Sequence, residues 1–112
     1  MELSKKQKKI ARELIQLGHY RECKSFTDEI AQFTNSLEWA TSDPQDICHK
    51  LYKKITSFDK HLLKRYGNMG SSHYFSIVYV LFYDGILTTE DISRFDVEVQ
   101  DKLLELKKSF EC

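Results

Sequence analysis

The stretch that decides the fold is residues 74–83, which are apolar on almost every side. It reads Tyr74-Phe75-Ser76-Ile77-Val78-Tyr79-Val80-Leu81-Phe82-Tyr83. Its β-branched and aromatic side chains would also suit a buried strand. Its length and the lack of a partner strand elsewhere favour a helix. We therefore predict a helix that is buried all round at the centre of the fold.

The segment before this run carries clear signals for the start of a helix. Asp43 can supply an N-cap oxygen, and Pro44 suits the first helical position because its missing N–H is not needed there. Gly67 and Asn68 predict a left-handed C-cap at the other end. Between these ends, apolar residues recur in steps of three and four, as in one helical stripe: Ile47, Leu51, Ile55, Phe58, Leu62 and Tyr66.

The N-terminal segment opens with Ser4 and Gln7, the spacing of a capping box. Gly18 could end a first helix, but an apolar stripe runs through it in helical steps: Ala11, Ile15, His19, Cys23, Phe26, Ile30, Phe33, Leu37 and Ala40. One long helix within residues 4–40 is favoured over two helices that meet at Gly18.

The last third of the chain predicts two further helices. Thr88 would cap the first, and Asp96 the second. The whole chain is thus predicted to be one all-α domain over residues 1–112, a small bundle with a long N-terminal helix, a buried central aromatic helix and a C-terminal helical hairpin. The predicted core is Phe26, Ile30, Phe33, Leu51, Ile55, Phe58, Leu62, Phe75, Val78, Phe82, Leu87, Ile92 and Leu103.

The composition is that of a globular protein, with 41% hydrophobic and 30% charged residues. The three cysteines are an odd number without a CxxC pair, which does not suit a secreted disulfide framework. The apolar run is about half the length of a membrane span, which needs about twenty residues. These features predict a cytoplasmic protein that has no membrane segment.

The net charge is zero, but its sign alternates along the chain. Residues 1–24 and 44–67 are basic, whereas residues 25–43 and 84–112 are acidic. This balance argues against a dedicated nucleic-acid protein, which would usually be clearly positive. A small nucleic-acid-associated regulator is kept as the alternative function, with phosphates bound by a basic run: Lys5, Lys6, Lys8, Lys9 and Arg12.

No constellation in the sequence predicts a catalytic residue, a cofactor or a metal. A calcium loop aligned on Gly85 would place Val80 and Phe82 where oxygen ligands are required. Cys48 and His61 lie nearly 20 Å apart along one helix, at about 1.5 Å per residue, so they cannot meet within it. We expect no enzyme, and an active site assembled across helices is the third hypothesis.

The leading hypothesis is a non-enzymatic protein-interaction module that binds a protein partner or itself, as a homodimer. Trp39 falls beside the main apolar stripe, so it and nearby Leu37 are candidate contacts for a second subunit. Tyr79 and Tyr83 carry hydroxyls that need partners if they are buried, which suits the rim of an aromatic surface. These four residues are the predicted partner-binding site.

Overall fold

The computed structural model describes residues 1–111, and the side chains of residues 1–110. Within that range the chain forms five α-helices, one 3-10 turn and their connecting loops, and it has no strand. The predicted all-α bundle with a long N-terminal helix is thereby confirmed. The helices are α1 (Lys5–Asn35), α2 (Pro44–Tyr66), α3 (Tyr74–Tyr83), α4 (Thr89–Ile92) and α5 (Val97–Glu111), with a 3-10 turn at Ser71–His73.

The first helix is continuous through Gly18, as the apolar stripe predicts, but it ends at Asn35, so Leu37 and Ala40 of that stripe lie outside it. Gly18 is buried, and a Cβ atom placed on it would lie 2.8 Å from Cδ1 of Leu81. A glycine in the middle of a helix usually costs about 1 kcal/mol relative to alanine. Because Gly18 has no Cβ atom, α1 can pack closely against α3 at this position, and the helix continues through it.

The chain divides into two compact units. Residues 1–21 together with residues 68 onward form the terminal unit, and residues 22–67 form the hairpin unit. This division does not test the prediction of one domain over residues 1–112, which stays a prediction. α1 contributes its first part to the terminal unit and the remainder to the hairpin unit.

The terminal unit has a closed apolar core, in which Leu14, Leu81 and Leu103 are at most 1% exposed. The predicted core positions in this unit are all buried: Phe75, Val78, Phe82, Leu87, Ile92 and Leu103. The core also contains residues that the predicted set omitted: Leu3, Ala11, Leu14, Ile15, Ile77, Leu81, Phe95 and Val99. Helix α3 therefore lies at the centre of this unit.

Helix α3 is not buried all round, which corrects the prediction. Val80 and Tyr83 are exposed, and Tyr79 is half-buried. A helix of ten residues packed from one side keeps part of its circumference open to solvent, however apolar its sequence is. The chain leaves α3 through Gly85, the one residue with a positive φ (79°) among those that the structure describes.

The helices after α3 begin as their capping residues predict. The Thr88 hydroxyl accepts a hydrogen bond from the Asp91 N–H, and the Asp91 carboxylate accepts one from the Thr88 N–H. The Arg21 guanidinium donates to both oxygens of the same carboxylate, at 2.6 and 3.3 Å, and to the Ile86 carbonyl oxygen. This contact holds α1 to the start of α4.

The capping box predicted at Ser4 is only half formed. The Gln7 N–H donates to the Ser4 hydroxyl at 3.2 Å, as predicted. The buried Gln7 side chain instead accepts a hydrogen bond from the Asp96 N–H at 3.3 Å. Asp96 in turn caps α5 by accepting from the Val99 N–H. A contact across 89 residues of chain has replaced the local one.

The hairpin unit consists of the second part of α1 and of α2, joined by residues 36–43. Asp43 accepts a hydrogen bond from the Gln45 N–H, and Pro44 is the first residue of α2, as predicted. The left-handed C-cap predicted at Gly67 is wrong. Gly67 has φ −66° and donates its N–H to the Leu63 carbonyl oxygen, so the helical hydrogen bonding continues through it.

Among the described residues, no helix combines the length and the apolar content that crossing a membrane requires.

Candidate interaction surfaces

The two helices of the hairpin unit run antiparallel and contact each other through a few side chains. Phe26 of α1 stacks on Phe58 of α2, with the ring centroids 4.1 Å apart and the planes within 4°. Lys54 lies over the Phe33 ring at 5.1 Å from its centroid. Glu22, at the start of the unit, faces His61, Arg65 and Tyr66 near the end of α2.

The apolar stripe of the hairpin is much more open than the sequence predicts. Ile47 is the unit's one buried hydrophobic residue. Six predicted core residues are only half-buried: Phe26, Ile30, Phe33, Leu51, Phe58 and Leu62. Ile55 is 53% exposed, so its assignment to the core is wrong. Two helices can cover each other only along one line of contact, so the flanks of each apolar stripe stay in water.

One side of α2 presents large apolar side chains to solvent. Tyr52 and Leu63 are 66% and 65% exposed, and together with Ile55 they follow helical spacing along one face. Asp59 is exposed on the same face, between Ile55 and Leu63, so one carboxylate interrupts the apolar side chains. Exposed apolar side chains grouped on one face often mark a site of protein interaction. We name Tyr52, Ile55 and Leu63 the α2 apolar face.

The structure places Trp39 and Leu37 in the turn between α1 and α2. Trp39 is 57% exposed, and Leu37 is half-buried. Both residues belong to the hairpin unit, like the α2 apolar face. An exposed tryptophan is the side-chain type most enriched where protein interfaces bind tightly. Trp39 is thus a further exposed apolar side chain of this unit.

Tyr79 and Tyr83 lie in the terminal unit, where they form an aromatic patch with Val80 and Phe110. The ring centroids of Tyr79 and Tyr83 are 6.1 Å apart, and Phe110 lies 6.3 and 6.4 Å from them. The patch lines a shallow depression of about 220 Å³. The Tyr79 hydroxyl donates a hydrogen bond to the Leu106 carbonyl oxygen at 3.3 Å. This half-buried hydroxyl therefore has the hydrogen-bond partner that it needs.

Sequence reasoning did not assign Val80 and Phe110 to this patch. Phe110 continues the α5 stripe Val99, Leu103 and Leu106, whose spacing indicates core. The stripe extends past the end of the packed region, and Phe110 is 68% exposed. For Val80, the one sequence signal of exposure was that a ten-residue helix with apolar residues on all sides leaves some of them in contact with solvent.

Sequence reasoning also missed the buried carboxylate of Glu22. Its side chain is 8% exposed and accepts hydrogen bonds from His61 Nε2 (2.9 Å), Arg65 Nη1 (2.6 Å) and the Tyr66 hydroxyl (2.5 Å). Burial alone would raise the pKa of Glu22, but the hydrogen bonds from Tyr66 and His61 and the charge of Arg65 outweigh it and lower that pKa. Burial, and then the contact with Glu22, raise the pKa of the Tyr66 hydroxyl.

Three donors from α2 occupy this carboxylate, which makes Glu22 the polar clamp of the hairpin. A buried charge is tolerated only when its lone pairs are satisfied in this way. The one sequence signal for it is position: Glu22 stands one turn before Phe26, on the same helical stripe. Among the described residues, no three His, Cys, Asp or Glu side chains converge so that they could hold a metal ion.

The basic residues of the nucleic-acid alternative lie at the start of α1, in the terminal unit. Lys5, Lys6, Lys9 and Arg12 are exposed, and Lys8 is half-buried. A second basic stripe lies on α2, where Lys53, Lys60 and Lys64 are all exposed. In helical projection its centre is about 110° around α2 from the centre of the α2 apolar face.

The described residues thus form an open apolar hairpin, an aromatic patch, a buried polar clamp and a basic stripe. None of them carries an arrangement that is specific to one known activity. Comparison with known proteins found no matching family model, no matching curated protein and no matching solved structure.

Proposed function

We propose that this chain is a non-enzymatic protein-interaction module that self-associates into a homodimer through its hairpin unit. The observation that carries the proposal is that Leu51 and Leu62 of the hairpin are only half-buried, with the α2 apolar face exposed beside them. Four-helix bundles close such stripes by packing four helices around a shared core.

A second copy of this chain is the occupant that fits this surface best. One hairpin supplies two helices, and a second identical hairpin supplies the two that are missing. A twofold interface needs a patch that is complementary to itself. The α2 apolar face supplies tyrosine, isoleucine and leucine side chains for such a patch, and the one charged side chain among them is Asp59.

The charges of the hairpin support the same arrangement. The exposed lysines of α2 are centred about 110° around the helix from the α2 apolar face, outside the surface that the proposed dimer buries. The surfaces that become buried then carry few charges, as the centres of protein interfaces usually do. The odd number of cysteines lacks a disulfide pattern, so we propose that the protein acts in the reducing cytoplasm.

The test is a mass measurement by light scattering after size exclusion, over a range of micromolar concentrations. The expected mass at the high end is twice the chain mass of 13.3 kDa. Leu63→Glu should shift the protein to the monomer and leave its helical circular dichroism unchanged, since this side chain is mostly in solvent already. A charge buried without a partner in the dimer costs several kcal/mol.

Phe110→Glu is the matched control, because Phe110 is as exposed as Leu63 but belongs to the aromatic patch of the terminal unit. It should leave the dimer intact. A wild-type protein that is monomeric at all concentrations contradicts self-association. A dimer that Phe110→Glu disrupts and Leu63→Glu does not contradicts the choice of the hairpin.

A further inference from the structure

The basic side of α2 is the surface that self-association leaves unexplained. Lys53, Lys60 and Lys64 follow one another at helical spacing, and all three are exposed. Their Cα atoms span about 16 Å along the helix, at about 1.5 Å per residue. None of the three takes part in an ion pair within the described part of the chain.

The acidic groups near this side are already engaged. Asp46 lies 3.0 Å from Lys50, one turn along α2. Glu29 of α1 lies 3.9 Å from Lys54. Residues 44–67 carry six basic and two acidic side chains. An excess of positive charge therefore remains on α2, although the chain as a whole is neutral.

An aromatic depression adjoins the lysines. It has a volume of about 440 Å³ and is lined by Phe26, Glu29, Lys53, Lys54, Ser57 and Phe58. The stacked rings of Phe26 and Phe58 are only half-buried, so part of their surface faces this space. Lys53 belongs both to the depression and to the basic stripe.

We propose that this side of the hairpin binds single-stranded nucleic acid, with phosphates on Lys53, Lys60 and Lys64 and a base in the depression against Phe26 and Phe58. Proteins that bind single strands without sequence preference combine a basic track with aromatic side chains on which bases pack. A duplex keeps its bases stacked on one another, so it offers no base to such a depression. The aromatic wall therefore favours a single strand over a duplex.

The experiment is fluorescence anisotropy with the full chain and a fluorescein-labelled oligouridine. Binding through three phosphate contacts should weaken about 20-fold between 50 and 200 mM KCl. The triple variant Lys53→Gln, Lys60→Gln, Lys64→Gln should lose at least about tenfold in affinity at 50 mM. Arginine at the same three positions should preserve binding because the charge is retained.

The matched control neutralises three exposed lysines of α1, as Lys5→Gln, Lys6→Gln, Lys9→Gln, which changes the net charge equally. It should change the affinity by less than about twofold. An abasic oligonucleotide of the same length should bind about tenfold more weakly than oligouridine, because base stacking on an aromatic side chain is lost.

Several results would overturn the inference. One is that oligouridine does not bind at 50 mM KCl, and another is that the α2 glutamine variant binds it as tightly as the wild type does. A greater loss of affinity in the α1 control than in the α2 variant would also contradict the inference. So would equal affinity for the abasic and the normal oligonucleotide. The inference is independent of the dimer. Leu63→Glu tests self-association without altering the lysines, so the two proposals fail separately.

Discussion

The terminal unit and the hairpin unit use similar side chains to very different effect. In the terminal unit, Phe82, Leu81 and Leu103 are at most 1% exposed. In the hairpin unit, the equally apolar Phe26, Phe58 and Leu62 remain half-buried. The terminal unit has several helices around one interior, whereas the hairpin has two. The number of covering elements, rather than the hydrophobicity of a stripe, thus decides how far it is buried.

The same difference separates the polar contacts of the two units. Arg21 and Asp91 tie α1 to a helix start in the terminal unit, beside a closed apolar core. In the hairpin, Glu22 and its three donors form the most buried polar contact, and only one hydrophobic residue is buried with it. The hairpin therefore has a buried carboxylate with three donors where the terminal unit has a closed apolar core.

The largest expected effect tests the comparison directly. Phe82→Ala should reduce the free energy of unfolding by about 3–5 kcal/mol, because it removes a ring from a closed core and leaves a cavity. Phe58→Ala should cost about half as much, since its ring is already partly in water. Denaturant unfolding at low protein concentration measures both. Equal losses would show that the hairpin is as closed as the terminal unit.

The next effect concerns the polar clamp. Glu22→Gln keeps the shape of the side chain but removes the charge that faces Arg65, so we expect a loss of about 2–3 kcal/mol near pH 7. Glu29→Gln is the control. Glu29 is largely exposed and lies 3.9 Å from Lys54, so its loss should be at most about 0.5 kcal/mol.

The clamp also predicts a pH dependence. The pKa of Glu22 in the folded protein lies below its ordinary value of 4.5, so the unfolded chain binds the proton more readily. The stability that Glu22 contributes is therefore fully present at pH values above 4.5, and it is lost as the pH falls through the lowered pKa. The difference in unfolding free energy between wild type and Glu22→Gln should shrink as the pH falls below that range. A difference that does not change with pH would refute the lowered pKa.

The smallest effect tests how tightly the terminal unit is packed. Gly18→Val should cost about 1–2 kcal/mol, because its Cβ alone would come within 2.8 Å of Leu81. Gln16→Val, on the exposed side of the same helix, should cost about 0.5 kcal/mol through helix propensity only. Thermal unfolding of the two variants gives the comparison. Equal losses would mean that α1 and α3 are not packed closely at Gly18.

Much of the local structure could be predicted from short-range chemistry. Asp43 with Pro44 and Thr88 with Asp91 begin α2 and α4 because the groups that satisfy a helix N-terminus lie within three residues of it. The continuous helix through Gly18 followed from the period of the apolar stripe. The C-cap at Gly67 was wrong because glycine permits the left-handed conformation without requiring it, and Gly85 adopts it instead.

The candidate sites were less accessible to sequence reasoning. The sequence identified Trp39 as lying beside a stripe and Tyr79 and Tyr83 as suited to the rim of an aromatic surface, and all three are exposed or half-buried. It could not distinguish Ile55 and Phe110, which are exposed, from Ile92 and Leu103, which are buried. All four are apolar residues in helices, and their exposure depends on which other elements cover them.

The sequence by itself determined the helices, their capped starts and the apolar stripe of each, because these depend on interactions between residues a few positions apart. Only the tertiary structure decided which stripes close into a core, that Gln7 bonds to Asp96, and that Glu22 meets His61, Arg65 and Tyr66. Those contacts join residues 39 to 89 positions apart. Their partners depend on how the helices pack, and helical period does not encode that packing.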